Sequence, residues 1–278
     1  MAPFLFNKNR ITTYTRFEPP VFNDTYAGKI ILDCGYDLES FNKKKFEDFQ
    51  IKEELVDGGS QLFFGCMRED YLSLDERTFS PPQMWCADDD LHLRYKLLGF
   101  EHKVSSAHVY HFVSKTSRFS DEYKTKTQQF ELNSNRNFIR KWGHFVKHDA
   151  FMKPIIPHKY DIGFRVTNCS VEMLATLEPW CSAISSDASY SKWLDEEQKH
   201  TILNLFDRIK PWNAPLNNDI TVEFDASKLT QESFITLTQL PDIITQSGEI
   251  GEFELDIFNI SIAYMDTYEH NLVHIYNK

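Results

Sequence analysis

The chain changes character near residue 150, and this change limits what it can fold into. Pro154 and Pro157 interrupt any helix or strand there, because proline lacks the backbone N–H that both elements use. Residues 1–150 carry 21 basic and 22 acidic side chains, whereas residues 151–278 carry 9 and 19, so the net charge changes from −1 to −10. We therefore predict a linker near residues 150–159 between two folding units, a division that 278 residues allow.

The first 150 residues predict an irregular arm followed by an α/β unit. Residues 1–28 are polar and aromatic without clear periodicity, and Pro19-Pro20 breaks any regular element, which predicts an irregular arm. Residues 29–150 contain short apolar runs typical of strands and an acidic segment with helical spacing. The predicted elements are strands near Lys29–Leu32, Ser60–Met67 and His108–Val113, a helix over Asp88–Leu98, and a last helix carrying Phe138 and Trp142.

Residues 160–278 predict a smaller acidic unit of the α/β or α+β class. Its apolar runs alternate with segments of helical spacing, and Pro179 and Pro241 limit two of the helices. The predicted strands are Asp161–Thr167, Ile220–Phe224 and Phe253–Ile257, and the predicted helices are Ser170–Leu177, Asp195–Ile209 and Thr230–Leu240.

Neither a membrane protein nor an exported protein is indicated. No apolar run approaches the roughly 20 residues that cross a bilayer, and residues 1–10 lack the basic start and apolar core of a signal peptide. The five cysteines form no CxxC pair and no close Cys/His cluster, so neither a zinc finger nor a disulfide framework is expected. These features predict a cytoplasmic protein with reduced thiols and no membrane span.

One basic segment contrasts with the acidic composition of the chain. Residues 103–147 hold nine Lys or Arg side chains against three acids, although the whole chain has a net charge of −11. Such a local surplus suits a phosphate-bearing ligand, with Lys115 and Arg118 as candidate binding residues. The alternative is a solvated helix face. Nucleic acid is not expected as a partner, because the segment matches no recognised module and the net charge opposes binding.

Three consecutive carboxylates, Asp88, Asp89 and Asp90, begin the predicted helix. Repulsion between like charges raises the pKa of at least one of them, while the helix N-terminus acts in the opposite direction. A carboxylate of this kind can act as a general base, and the cluster can hold a hard divalent cation. The alternative is structural: Asp88 caps the helix, and the two that follow lie in its first turn.

The wider region contains four motif elements in order between residues 74 and 111. They are Leu74-Asp75-Glu76-Arg77-Thr78-Phe79, the segment Trp85 to Arg94, Gly99-Phe100, and Val109-Tyr110-His111. In this order they resemble the acceptor-side half of family 2 glycosyltransferases with the A-type fold. The later run Asn137-Phe138-Ile139-Arg140-Lys141-Trp142-Gly143 is similar to the ending of many such domains. The resemblance implies an α/β fold class with a partial A-type glycosyltransferase-like domain, followed by the smaller α/β or α+β unit.

The resemblance also implies roles for individual residues. Asp88 corresponds to the catalytic base that deprotonates the acceptor hydroxyl, and His111 to the histidine that helps to hold a divalent metal or the diphosphate. The implied cofactor is Mn²⁺ or Mg²⁺, with Asp90 as a second candidate ligand. For His111 the alternative is a hydrogen-bonded histidine at a strand end. The implied acceptor-binding residues are Trp85, whose aromatic face suits a pyranose ring, with Asp75 and Glu76.

Two features depart from the family pattern. Ala87 stands where the family has the glutamate of its Glu-Asp pair. Residues 1–57 contain no alternation of helix and strand signals and no Asp-x-Asp, so the donor-binding half that normally precedes this region is not recognisable there. Residues 161–168 and 222–225 resemble parts of a donor half only faintly, because each is a predicted strand that ends in Asn or Asp.

These observations leave two functional hypotheses. The first is inverting transfer of a sugar from a nucleotide-sugar donor to a hydroxyl acceptor, with a partner chain where the donor half is missing. The second is a non-catalytic structural or binding protein that retains part of the glycosyltransferase fold. The expected ligands under the first hypothesis are a nucleotide-sugar and a carbohydrate acceptor. A protein partner or an assembly is compatible with both.

Overall fold

Two mixed β-sheets, each accompanied by α-helices, organise the chain into a mixed α/β structure. The structure is a computed structural model and describes residues 7–22, 24, 26, 28–51, 55–59, 63–74, 86–113 and 124–273. Within these residues, no helix has both the length and the apolar composition needed to cross a membrane. The predicted α/β class is confirmed, and the A-type glycosyltransferase fold stays a prediction.

The amino-terminal unit is built around a sheet with the order β2-β1-β5-β3. Its strands are β1 (Arg10–Glu18), β2 (Lys29–Ile31), β3 (Leu55–Asp57), β4 (Phe64–Gly65) and β5 (Glu101–Tyr110). Its helices are α1 (Lys43–Glu47), α2 (Arg68–Ser73), α3 (Ala87–Leu97) and α4 (Lys124–Trp142). Strand β1 runs parallel to β2 and β5, and β4 pairs antiparallel with the first half of β1. The carboxyl ends of β1, β2 and β5 therefore lie at one edge of the sheet.

Several predicted elements of this unit are confirmed, and two strands differ in extent. Strand β2 and helix α3 lie where they are predicted, and α4 carries Phe138 and Trp142. The strand expected over residues 60–67 is limited to β4, although residues 60–62 lie outside the described part. The strand expected over residues 108–113 begins earlier, at Glu101, and ends before His111.

Strand β1 corrects the expectation of an irregular arm over residues 1–28. It is nine residues long, occupies a central position in the sheet, and has seven buried residues. The sequence RITTYTRFE does not predict a strand, because several buried positions carry threonine or charged side chains and no alternation of apolar and polar residues is visible. Some of these polar groups are paired in the folded sheet: the Thr15 hydroxyl, for example, donates to the carbonyl of Ser105 at 2.7 Å. The buried hydroxyls of Thr12 and Thr13 have no hydrogen-bond partner among the described residues.

Helix α3 lies between the first sheet and α4, so most of its surface is buried. Leu91 and Tyr95 pack with Ile11 of β1, whereas Leu93 packs in a second cluster with Trp142 of α4. Burial on both sides leaves the polar residues of α3 dependent on protein partners, because unpaired buried polar groups are costly.

The carboxyl-terminal unit contains a sheet with the order β10-β11-β9-β6-β7-β8. Its strands are β6 (Ile162–Thr167), β7 (Ala183–Ser186), β8 (Ile209–Pro211), β9 (Ile220–Asp225), β10 (Gly251–Leu255) and β11 (Phe258–Ile262). Its helices are α5 (Val171–Leu177), α6 (Ser191–Glu197), α7 (Leu205–Arg208), α8 (Gln231–Thr238) and α9 (Leu240–Ser247). Short 3-10 segments span Glu178–Trp180, Gln198–His200, Ala226–Lys228 and Glu269–Leu272. Strands β6 to β9 are parallel neighbours, whereas β10 and β11 form an antiparallel hairpin beside β9.

The predicted strands β6 and β9 and helix α5 are confirmed, but the helix expected over residues 195–209 is wrong. That stretch divides into the end of α6, a 3-10 turn and the short α7, and then enters β8. Asn204 starts α7 by accepting a hydrogen bond from the N–H of Phe206 at 3.1 Å. Pro241 lies in the first turn of α9. Proline is tolerated there because the N–H groups of the first turn have no partner within the helix.

All five helices of this unit contribute to a core on one face of the second sheet. Phe164 and Val166 of β6 and Val222 of β9 point into that core together with leucines from each helix. Side chains alternate along a strand, so Arg165 and Glu223 lie on the opposite face, where both are partly or fully exposed. The parallel strands of this sheet therefore present one polar face, although parallel sheets are usually covered on both faces.

A buried ion network joins α4 to the carboxyl-terminal unit. The side chain of Glu178 is fully buried and contacts Arg140 of α4 at 2.7 Å and Arg208 of α7 at 2.9 Å. Arg140 also reaches Glu197 of α6 at 2.5 Å, and Arg136 of α4 contacts the same carboxylate at 2.8 Å. Burial alone would raise the pKa of Glu178, but the surrounding guanidinium charges outweigh it and lower the pKa. An ionised carboxylate thus fixes a helix of the first half to the second half.

The end of the described chain and the predicted linker also connect the two units. Val273 is buried in the same cluster as Ile11 of β1. Within the linker region, the carbonyl of Phe151 accepts a hydrogen bond from the N–H of Gly59 at 3.1 Å. Residues on both sides of the predicted boundary near residues 150–159 therefore contact the first unit. The boundary itself stays a prediction.

We expect Glu178→Gln to lower the free energy of unfolding by about 3–5 kcal/mol, because Arg208 would lose its buried counter-charge and Arg136 and Arg140 would have only Glu197 between them. Urea denaturation followed by circular dichroism measures the change. Glu196→Gln is the matched control, since the Glu196–Lys199 pair is 63–65% exposed and its loss should cost less than about 0.5 kcal/mol. Equal stability losses in the two variants would mean that the buried network does not secure α4.

Candidate active site

The predicted site residues divide into three that the structure describes and five that it does not. Asp88 and Asp90 lie in the first turn of α3, and His111 follows β5 directly. The roles implied for the others stay predictions, because these residues lie outside the described part: Trp85, Asp75, Glu76, Lys115 and Arg118. The three described residues occupy three different environments.

Asp90 holds α3 against α4. Its side chain is buried, and its two oxygens accept from the Arg94 guanidinium at 2.9 Å, the Trp142 indole N–H at 2.9 Å and the Lys141 ammonium. Burial lowers the pKa of Lys141 to about 8, although the charge of Asp90 opposes that shift. The arrangement gives Asp90 a structural task, and a metal ion could bind it only by displacing these donors.

Asp89 is paired with a histidine that the sequence analysis did not select. The Nε2 atom of His148 lies 3.0 Å from the Asp89 carboxylate, and both side chains are 17% exposed. His148 comes from the chain beyond α4, where it forms an isolated β-bridge with Pro154. No sequence motif marks His148, because its proximity to α3 depends on the path of the chain after α4.

Asp88 differs from both neighbours, because no Lys or Arg of the described chain forms an ion pair with it. Burial and the adjacent charge of Asp89 raise the pKa of Asp88 to about 6. The backbone N–H groups of the first turn and the nearby His148 act in the opposite direction. Asp88 is therefore ionised at neutral pH, but it is a stronger base than an ordinary aspartate.

Cys86, the residue directly before α3, helps to fix where Asp88 lies. Cys86 precedes the helix with a left-handed φ of 62°, and its carbonyl accepts from the N–H of Asp90 at 2.9 Å. Its thiol donates to the amide oxygen of Asn135 in α4 at 3.3 Å. Burial raises the pKa of this thiol to about 12, so it remains protonated. Contacts with α4 thus determine both the start of α3 and the position of its carboxylates.

His111 forms a second polar group at the carboxyl edge of the first sheet. Its Nδ1 atom lies 2.7 Å from the carboxylate of Glu18, the last residue of β1. Arg16 and Lys29 approach the same carboxylate at 2.7 Å and 3.3 Å. Burial would raise the pKa of Glu18, but the hydrogen bond of His111 and the charges of Arg16 and Lys29 lower it overall. The ionised Glu18 therefore accepts a hydrogen bond from the Nδ1–H of His111, which leaves Nε2 as the ring nitrogen that can bind another ligand.

Among the described residues, Asp88 and His111 do not share a side-chain partner. Asp88 lies beside Asp89 and His148, whereas His111 contacts Glu18 and the ring of Phe63. Within the same residues, no group of three or more His, Cys, Asp or Glu side chains is arranged to hold a metal ion. A metal site that includes His111 stays a prediction.

The sequence analysis missed Glu18, Arg16 and Lys29, although each was visible as a charge next to an aromatic or apolar run. The clearest sequence signal was a glutamate directly before Pro19-Pro20. Pairing these charges required the parallel register of β1, β2 and β5, which places Arg16 opposite Lys29 and Phe17 opposite Tyr110.

Comparison with protein-family models, with curated proteins and with solved structures found no match for this chain. The likeness to family 2 glycosyltransferases therefore depends on the motif elements of the sequence alone. The function that this likeness implies stays a proposal.

Three buried histidines make the stability of this region sensitive to acid. Burial lowers the pKa of His92 well below its usual value and lowers the pKa values of His102 and His144 to about 4. In the unfolded chain these imidazoles take up protons near pH 6.5. The unfolded state therefore binds more protons between about pH 6.5 and pH 4, and the folded state loses stability as the pH falls through this range.

We expect the free energy of unfolding to fall by about 2–3 kcal/mol for each of His102 and His144 between pH 6.5 and pH 4. His102→Gln should reduce this slope, because it removes one titrating group from the core. Urea denaturation at a series of pH values measures the slope. The exposed His270→Gln variant is the control and should keep the wild-type slope. A slope unchanged by His102→Gln would contradict the role given to burial.

Proposed function

We propose that this chain takes part in transferring a sugar from a nucleotide-sugar donor to a hydroxyl acceptor, with Asp88 as the general base. The observation that carries the proposal is the separation of three consecutive carboxylates into different environments. Asp90 is bound by two cations and an indole, and Asp89 is paired with His148. Asp88 forms no ion pair with a Lys or Arg of the described chain, and burial and the charge of Asp89 raise its pKa to about 6.

A pKa near 6 suits a base that works at neutral pH. A general base is most effective when its pKa lies close to the working pH, since it is then both ionised and strongly basic. In the proposed reaction, Asp88 accepts the proton of the acceptor hydroxyl while the hydroxyl oxygen forms a bond to the anomeric carbon. The bond from that carbon to the diphosphate breaks, and the configuration at the carbon inverts. Asp89 contributes by raising the pKa of Asp88 through its charge.

His111 fits the proposed role in holding a divalent metal or the diphosphate. A histidine that ligates a metal usually donates a hydrogen bond from its second ring N–H to a carboxylate. Glu18 accepts such a bond from Nδ1 of His111 at 2.7 Å. A bound Mn²⁺ or Mg²⁺ would supply positive charge to the departing diphosphate. Asp90 fits this role poorly because its oxygens already have protein donors. In this proposal a partner chain supplies the donor-binding half of the enzyme.

We expect Asp88→Asn to reduce sugar transfer or donor hydrolysis by a factor of about 100 or more at pH 7.5, because asparagine cannot accept the proton. The assay measures nucleoside diphosphate released from a panel of UDP-, GDP- and dTDP-sugars, with and without Mn²⁺. Wild-type activity should decline below about pH 6 as Asp88 becomes protonated. Asp89→Asn is the control, and it should keep activity while moving this decline to lower pH, since it removes the charge that raises the pKa of Asp88.

Two outcomes would favour a non-catalytic structural or binding protein. One is a wild-type chain that neither binds UDP, GDP or dTDP at millimolar concentration nor hydrolyses any donor, which would show that the chain is not an enzyme by itself and leave either such a protein or half of an enzyme completed by a partner chain. The other is an Asp88→Asn variant that transfers sugar as fast as the wild type. In the second case Asp88 would have to be explained by helix structure alone.

A base held at a raised pKa should also cost stability, so we expect Asp88→Asn to stabilise the fold at pH 8 by about 1–3 kcal/mol. Above pH 6 the folded chain carries a charge that burial disfavours, while the unfolded chain carries it freely. The gain should shrink as the pH falls from about 6 and vanish below the ordinary aspartate pKa of 3.8. Thermal unfolding at pH 8 and pH 4 tests this sign. A variant that is less stable than the wild type at pH 8 would indicate a structural cap instead.

A further inference from the structure

The second sheet carries a cleft that the proposed transfer reaction does not use. The cleft has a volume of about 530 Å³, which lies within the range of small-ligand sites. It is lined by side chains of β6, β9, β10 and β11, by the turn between β10 and β11, and by Trp212 directly after β8. All of these groups belong to the polar face and the carboxyl-terminal edge of the parallel strands.

The strand order places this cleft at a topological switch point. From β6 the chain proceeds through α5 to β7 and β8 on one side, and then crosses to β9 on the other side of β6. In open α/β sheets, ligands bind outside the carboxyl ends of the strands where the order reverses in this way. Thr167 and Asp225, the last residues of β6 and β9, are paired in register and both line the cleft.

The open face supplies a row of polar side chains across four strands. The register aligns Glu254 of β10 with Asn259 of β11, Asn259 with Glu223 of β9, and Glu223 with Arg165 of β6. Arg165 and Glu223 pair at 3.2 Å and are 31% and 50% exposed. This row forms an extended polar surface, because adjacent strands lie about 4.8 Å apart.

Several lining groups have no hydrogen-bond or ion-pair partner within the described chain. Some of them donate hydrogen bonds, some accept them, and some can do both. A ligand that only donates or only accepts would therefore satisfy only part of the set. Trp212 adds an aromatic ring that is 37% exposed. The unpartnered groups are the Thr167 hydroxyl, the Trp212 indole N–H, the Asn259 amide and the Glu254 carboxylate.

We propose that this cleft binds a segment of a neutral oligosaccharide, independently of the transfer site at Asp88. A sugar offers hydroxyls that both donate and accept, which matches the mixed set of Thr167, Asn259 and Glu254. The apolar face of a pyranose ring packs on an aromatic ring, and Trp212 provides one at the end of β8. The row across four strands is long enough for more than one sugar unit.

Charge argues against a phosphate ligand in the same cleft. A diphosphate would meet two cations, and repulsion from twice as many carboxylates would oppose it. The lining cations are Arg165 and Lys228, and the lining carboxylates are Glu223, Asp225, Glu254 and Asp256. A cationic ligand would leave the donors of Thr167 and Trp212 without partners. A neutral polyhydroxylated ligand avoids both costs.

Nuclear magnetic resonance of the full chain, labelled with ¹⁵N, tests the assignment directly. The chain has five tryptophans, and the indole signal absent from Trp212→Ala identifies that of Trp212. The probes are maltohexaose, cellohexaose, chitohexaose and mannohexaose, each raised to about 10 mM, with hexagalacturonate, chitosan hexamer and UDP with or without Mn²⁺ as charged comparisons. At least one neutral hexasaccharide should shift the Trp212 signal, with a Kd between micromolar and millimolar.

Variants then separate the cleft from the rest of the surface. Trp212→Ala and Glu254→Ala should each weaken binding of that hexasaccharide about tenfold or more, as measured by calorimetry. Tyr264→Ala is the control, because it also removes an aromatic ring, which is 62% exposed and lies outside the cleft. It should change the Kd less than about twofold. Asp88→Asn should leave this binding unchanged, so a failed transfer assay does not decide the result.

Three results would overturn the proposal. The first is that no neutral hexasaccharide shifts the Trp212 signal at 10 mM. The second is that UDP or a charged oligosaccharide shifts this signal while the neutral probes do not. The third is binding that survives both Trp212→Ala and Glu254→Ala, which would place the ligand elsewhere on the chain.

Discussion

The buried carboxylate of Glu178 is the interaction on which the rest of this structure depends. It neutralises Arg140 of α4 and Arg208 of α7 in a fully buried setting, so α4 cannot leave the second unit without exposing charges that have lost their partners. Helix α4 in turn holds α3, because Lys141 and Trp142 bind the carboxylate of Asp90. A continuous series of contacts therefore leads from the core of the second sheet to the first turn of α3. The candidate base lies at the end of this series, and its environment is set by residues distant in sequence.

The same series explains how three adjacent carboxylates acquire different properties. An α-helix turns by about 100° for each residue, so consecutive side chains point in different directions. Asp90 points to α4 and is neutralised there, and Asp89 meets His148. Asp88 is buried beside the negative charge of Asp89 and has no ion pair with a Lys or Arg of the described chain, and its pKa is raised to about 6. In an isolated helix all three would be solvated and nearly equivalent, so the difference among them is a product of packing.

Much of the second unit was predictable from the sequence, whereas the centre of the first sheet was not. Strands β6 and β9 are apolar at alternate positions because one face is a core, and helix α5 begins at Ser170, which caps it by accepting from the N–H of Met173. Strand β1 has threonine, arginine and glutamate at buried positions. Glu18 and Thr15 are stable there because Lys29, His111 and Ser105 supply partners, and a hydropathy pattern contains no information about partners. The helix expected over residues 195–209 is wrong for a related reason, since local helical spacing does not reveal that the chain must enter the edge strand β8.

The sequence by itself determined the α/β class, the start of α3 at consecutive aspartates and the choice of Asp88 and His111 as candidates. These features depend on local periodicity, helix dipoles and motif order, all of which involve residues close together in the sequence. Only the tertiary structure decided that Asp90 is a structural anchor, that Glu18 orients His111 and that a polar cleft opens at the switch point between β6 and β9. Each of these depends on burial and on charges brought together across long sequence separations. The free energy of a charged group depends on its dielectric surroundings and its neighbours, and both exist only after the chain has folded.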